Sequence, residues 1–115
     1  MELRINKYAD YEGSIYKENE GIMRMIDHAK SIVEEIEDCN DIYDYFDESE
    51  VRYVIDSNKE LLGGYLTIEW GGPTTTVDTY ENVLCVYWGG DSVICELNSD
   101  VCTEINDYLE MLYTC

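Results

Sequence analysis

Hydrophobic positions change their period along this chain, and each change marks an element. Between residues 18 and 38, Ile22, Met25, Ile26, Ala29, Ile32, Val33 and Ile36 recur at steps of three and four. That spacing places them on one stripe of a helix. Asn19 is a candidate N-cap, and Gly21 weakens the first turn. Residues 40–48 predict a short second helix, with Ile42, Tyr45 and Phe46 inward and Asp41, Asp44, Asp47 and Glu48 outward. From Val51 the period falls to two, as Val51, Tyr53 and Ile55 alternate with Arg52, Val54 and Asp56. After a polar turn, Leu62–Trp70 is a β-prone run in which Gly63-Gly64 reads as a bulge. Gly71-Gly72-Pro73 is a sharp break. Thr74–Thr79, Val83–Trp88 and Ser92–Leu97 read as further strands. Ser99 then caps a final helix with Asp100 in its first turn and Val101, Ile105, Tyr108, Leu109 and Leu112 on its buried stripe. Residues 1–17, with Tyr8, Tyr11 and Tyr16, show no period and read as a lead-in with room for a short helical turn.

This order predicts an α+β fold. An antiparallel four- to five-stranded sheet over 51–97 carries, on one face, an N-terminal helix pair (the acidic part, 18–48) and a C-terminal helix (99–113). With 115 residues, the expectation is a single domain over 1–115.

Charge changes the picture. There are 26 Asp and Glu against 7 Lys and Arg, a formal net of −19. The last base is Lys59, so residues 60–115 hold ten acids and no Lys or Arg. Nine acids crowd the seventeen residues from Glu34 to Glu50. Acidic chains are often disordered, but disorder goes with few apolar and aromatic residues. Here 45% of residues are hydrophobic and eleven are Tyr, which is enough for a core. Like charge opposes compaction, so added salt is expected to raise the melting temperature. The last turn of the first helix, with Glu34, Glu35, Glu37 and Asp38, places acids where the helix dipole favours cations. A local rule broken in this way points to function. If the 34–50 stretch were helical throughout, its charges would fall about every 2.8 Å. One strand of duplex DNA carries a charge every 3.4 Å or so.

Catalytic chemistry is scarce. His28 is the sole His and lies beside an apolar stripe, where a partly buried structural role is expected. There is no phosphate-binding Gly loop, zinc spacing or nucleophile motif. Read as an EF-hand loop from Asp38, the chain has Tyr43 at position six where Gly is needed. No catalytic residue, metal or cofactor is therefore assigned. The five Cys (39, 85, 95, 102 and 115) lack a CxxC pair and are expected to be reduced and packed. Trp70-Gly71-Gly72 and Trp88-Gly89-Gly90 repeat after eighteen residues. Two strands ending in Gly turns, each Trp packed under the helices, are favoured over a paired aromatic platform. No secretory signal or membrane span is read, so the expected location is the cytoplasm.

The second half also carries a resemblance. Ile55-Asp56-Ser57-Asn58-Lys59-Glu60, Gly71-Gly72-Pro73, Val77-Asp78-Thr79, Tyr87-Trp88-Gly89-Gly90-Asp91 and Glu104-Ile105-Asn106-Asp107-Tyr108-Leu109 resemble small acidic proteins of phages and conjugative elements of Firmicutes. The likeness covers about residues 50–113. It differs where such proteins often have Asn-Ile-Trp or Asn-Ile-Tyr and this chain has Thr74-Thr75-Thr76. In size, charge and setting these proteins look like anti-CRISPR and anti-restriction inhibitors, several of which mimic DNA. The resemblance implies a non-enzymatic inhibitor of a bacterial nucleic-acid-binding nuclease, an RNA-guided effector foremost, and the negative charge implies no direct nucleic-acid or membrane binding. The expected partner-binding residues are Glu34, Glu35, Glu37, Asp38, Asp41, Tyr43, Asp44, Asp47, Glu48 and Glu50, then Glu104, Asp107 and Glu110. Two other readings stay open: an immunity or antitoxin protein neutralising a basic toxin, and a sheet-mediated interaction module coated with acids for solubility.

Overall fold

A computed structural model describes residues 3–6, 20–89 and 91–114. Its elements in chain order are β1 (Leu3–Asn6), α1 (Glu20–Glu37), α2 (Ile42–Tyr45) and β2 (Glu50–Ile55). β3 (Leu61–Glu69), β4 (Thr74–Asp78), β5 (Val83–Trp88), β6 (Asp91–Glu96) and α3 (Ser99–Thr114) follow. The strands form one antiparallel sheet in the order β1-β6-β5-β4-β3-β2. β2 to β6 make the expected meander. The sheet nevertheless has six strands, because Leu3–Asn6 of the lead-in pairs with β6 as an edge strand. Four residues are too short to show a period, and their pairing partner lies some ninety residues away. The rest of the lead-in, Asn19 as a cap, and Cys115 lie outside the described residues.

The helices cover one face of the sheet. α1 packs on β5 and β6, α3 packs on β3, and α2 sits against α3. The α1 stripe is buried as spaced, from Ile22 through Ile36. Leu66, Val77, Leu84, Val86, Val93 and Cys95 meet it from the sheet, with Ile105 and Leu109 from α3. Period-two strands against a period-3.6 helix give a two-layer core. Phe46 is fully buried below α2, and Tyr108 of α3 donates its hydroxyl to the Phe46 carbonyl.

Gly63 and Gly64 are not a bulge. Both pair regularly with β2, and the reason for glycine is close approach. A Cβ at Gly64 would sit 2.8 Å from both the Arg52 carbonyl and Leu109 Cδ1. The two irregularities fall on either side, where Leu62 and Ile68 have no register partner on the neighbouring strand. The one at Ile68 matters for chemistry. Tyr65 and Thr67 align with Asp78 and Thr76, but Glu69 aligns with Thr75, one place earlier than regular alternation requires. An extra residue in a strand re-aims the next side chain, and here it turns Glu69 to the helix-covered face.

α2 is a single turn, shorter than 40–48, and Asp41 caps it by accepting from the Tyr43 and Asp44 amides. At α3 the cap is Asn98 rather than Ser99, since the Asn98 side chain accepts from the Asp100 amide at 2.8 Å. Asx side chains reach two residues forward to cap, and Ser99 is the first helical residue.

Candidate functional site

The acids of Glu34–Glu50 are divided by the fold. All of them are exposed, but they do not share one surface or one role. Glu34, Glu35 and Asp38 project from the end of α1, and Asp44, Asp47 and Glu48 from α2 and the turn after it. Glu50 belongs to the opposite, uncovered face of the sheet, where it lies 3.4 Å from Arg52 and accepts from the Trp70 indole at 3.3 Å. Glu37 reaches across to α3 and accepts from the Asn98 amide at 3.1 Å. The acid at the unfavourable end of α1 thus sits at the favourable end of α3, where the dipole attracts negative charge. The broken rule has a structural compensation that only the packing creates.

The second predicted set joins the first. α2 packs on α3, and Tyr43 meets Tyr108 edge-on at 5.0 Å between ring centroids. Burial raises the Cys39 thiol pKa, a hydrogen bond with the Asp41 backbone opposes this, and the charges of Glu104 and then Asp41 add to the rise. Burial, with Asp47 as the next cause, likewise raises the Tyr108 phenol. The ends of α1, α2 and the outer side of α3, with Glu104, Asp107 and Glu110, all expose carboxylates on the helix layer. Tyr43, 47% exposed, stands within it. Two ion pairs join described residues to one another, His28–Glu69 and Arg52–Glu50. None of the helix-layer acids is in either.

His28 is half-buried, and its Nε2 lies 2.6 Å from Glu69 Oε1. The same oxygen accepts the Thr75 hydroxyl at 2.6 Å. Burial alone would raise the Glu69 carboxyl, but Thr75 and His28 outweigh it and hold the pKa below its ordinary value. This cluster ties α1 to β3 and β4. Tyr45 is held protonated well above the ordinary phenol range, by burial first and by the adjacent Glu35 second.

The two Trp-Gly-Gly turns sit at one end of the sheet but serve opposite faces, and neither indole is packed away. Trp88 is 48% exposed beside Arg24, Met25, His28 and Pro73 on the α1 side. Trp70 is 55% exposed on the uncovered side. There Glu50, Arg52, Tyr65, Thr67, Thr74, Thr76 and Tyr87 join it to line an open trough of about 350 Å³. Burial, aided by Cys85 and Asp78, raises the Tyr87 phenol to about 12. Sequence reasoning missed this trough. Its signal was present in the alternation of Tyr65, Thr67, Thr74, Thr76 and Tyr87, a polar and aromatic set opposite the core positions.

Cys39, Cys85, Cys95 and Cys102 carry no disulfide. Among the described residues no group of three or more His, Cys, Asp or Glu could hold a metal ion, and no helix is long and apolar enough to cross a membrane. No protein-family model, no curated protein and no solved structure matches this chain.

Proposed function

We propose that this protein is a non-enzymatic inhibitor whose acidic helix layer enters the cationic nucleic-acid channel of a bacterial defence nuclease, an RNA-guided effector foremost. The observation that supports the reading is the set of exposed carboxylates on α1, α2 and α3, to which no cation is paired among the described residues. Unpaired surface acids repel one another and oppose folding, so a layer of them is a standing cost. A channel lined with Arg and Lys would remove it. Arg forks bind carboxylates in the geometry they use for phosphates, and such channels hold nucleic acid through its backbone. Charge would speed the encounter, and the half-exposed Tyr43 ring would slow dissociation.

The contact set is narrower than the sequence alone suggests. Asp44, Asp47, Glu48, Glu104, Asp107 and Glu110 are free of structural duty, with Glu34, Glu35 and Asp38 at the margin. Glu37 and Asp41 serve helix termini, and Glu50 faces away.

The test is a DNA-binding competition with purified RNA-guided nucleases at low and high salt. Inhibition is expected to weaken steeply with salt and to be lost in the D44K/D47K/E48K variant, with the fold retained. Unchanged inhibition by that variant removes the surface from the mechanism. Capture of a basic toxin instead would favour the immunity-protein reading, since the electrostatics are shared.

A further inference from the structure

The side of the sheet away from the helices is buried at Val83, Cys85 and Ser92, but over β2, β3 and β4 it presents a second exposed surface with different chemistry. Its middle is formed by Tyr65, Thr67, Thr74, Thr76 and Tyr87, with Trp70 at one end. The charges in the trough are Glu50 and Arg52, which cancel. Asp78, in register with Tyr65, is turned to the amides of Tyr80 and Glu81 in its own turn. Glu96 pairs with Val83 at the far end of β6, away from the trough. In a chain of net −19 this is a neutral, aromatic tract.

We propose that this face binds a second copy of the chain, giving a two-fold dimer with the sheets stacked and the acidic helix layers outward. Two arguments select that occupant. The first is charge. Two copies meeting through their helix layers would bring like carboxylates to contact distance. Stacked through the open faces, two sheets lie about 10 Å apart with a helix layer about 10 Å further out on each side. The helix-layer acids of the two copies are then separated by roughly 30 Å, several times the screening length of about 8 Å at physiological salt.

The second argument is self-complementarity. A two-fold interface brings each residue of one copy to its counterpart's neighbour. Arg52 and Glu50 sit side by side on β2, so each copy offers both partners of a crossed ion pair. Hydroxyls of Thr67 and Thr76, 3.1 Å apart, and half-exposed rings supply groups that both give and accept hydrogen bonds.

Area sets the strength. Trp70, Tyr65 and Tyr87 are exposed over 55%, 38% and 47% of their surface. Together they offer roughly 300 Å² of aromatic area, the lower end of the largest apolar patch on a typical monomer. This is below the ~800 Å² per partner of a tight complex, so the dimer is a weak, concentration-dependent one.

The dimer does not depend on the inhibitor reading, and its test leaves inhibition aside. The mass of the whole protein is measured by sedimentation equilibrium from sub-micromolar to hundreds of micromolar, at low and moderate salt. The expected result is a monomer that doubles in mass with concentration, and whose dissociation constant falls several-fold as salt is raised. Thr76→Glu, which places a carboxylate in the middle of the face, should raise that constant at least tenfold while the melting curve stays near the parent's. Trp70→Ala, at the rim, should weaken the dimer independently of charge. In the parent protein the indole emission should shift to the blue on dimerisation, and the shift should vanish in Trp70→Phe. A monomer at every concentration and salt overturns the proposal, as does a dimer untouched by Thr76→Glu. A dimer lost on D44K/D47K overturns it too, by placing the contact on the helix layer.

Discussion

The two faces of this sheet are built from the same strands and do opposite things. On β5, Leu84 and Val86 are fully buried under α1, while Tyr87 one residue on is exposed. On β3, Leu66 is buried between Tyr65 and Thr67, which line the open trough. Period-two alternation sorts them, although on β5 Val83 and Cys85, on Tyr87's side, are buried as well. The charges are sorted as well, although no period marks them. Unpaired carboxylates gather on the helices over the covered face, and the middle of the open face has none. The lesson is that a net charge of −19 describes the chain but not its surfaces. Electrostatic arguments apply to the helix side, and packing arguments to the open side.

The contrast can be broken most strongly from the core. Phe46→Ala removes a fully buried ring beneath α2 and should cost about 3–5 kcal/mol by denaturant unfolding. Thr67→Ala on the open face should cost under about 1 kcal/mol, being a half-exposed hydroxyl with one hydroxyl partner. Comparable losses at both sites would mean that the open face is not a surface. Gly64→Ala comes next. It adds a methyl at 2.8 Å from a β2 carbonyl and from Leu109, between sheet and α3. About 1–3 kcal/mol of overpacking is expected in the same unfolding measurement, with the Leu109 side chain, which can rotate, yielding before the backbone carbonyl.

Smaller effects sharpen the division among the acids. Asp41→Ala should lower stability by about 1 kcal/mol because it uncaps α2, while Asp41→Asn, which also caps, should be near neutral. If both were neutral, Asp41 would rejoin the unpaired acids. The smallest effect concerns Glu69. Its carboxyl is held below the ordinary value, so it stabilises the fold above the unfolded-state pKa of about 4.3 and loses that contribution as pH falls through the folded-state value. Glu69→Gln should therefore melt below the parent at neutral pH, and the gap should close in acid. A gap that stayed constant with pH would assign the loss to packing alone.

Much of the fold was legible because it is written in consecutive residues. The α1 and α3 stripes show their period within one segment, β4 and β5 show β-branched or apolar runs between turn signals, and their boundaries fell within a few residues. Among the candidate-site residues, exposure was legible too, since acids placed opposite an apolar stripe face outward. What each acid does was not. Asp41, Glu37 and Glu50 look alike in the sequence, and they become a cap, a partner of the α3 terminus and half of an ion pair on the other face.

By itself the sequence determined the α+β class, the covered face and the excess of negative charge, because periodicity and composition are local properties of the chain. Tertiary structure alone decided the sixth strand, the turn of Glu69 toward His28, and the reach of Glu37 to Asn98. These join residues 41 to about 90 positions apart. No local pattern encodes such pairings, because they depend on which surfaces the rest of the chain brings together.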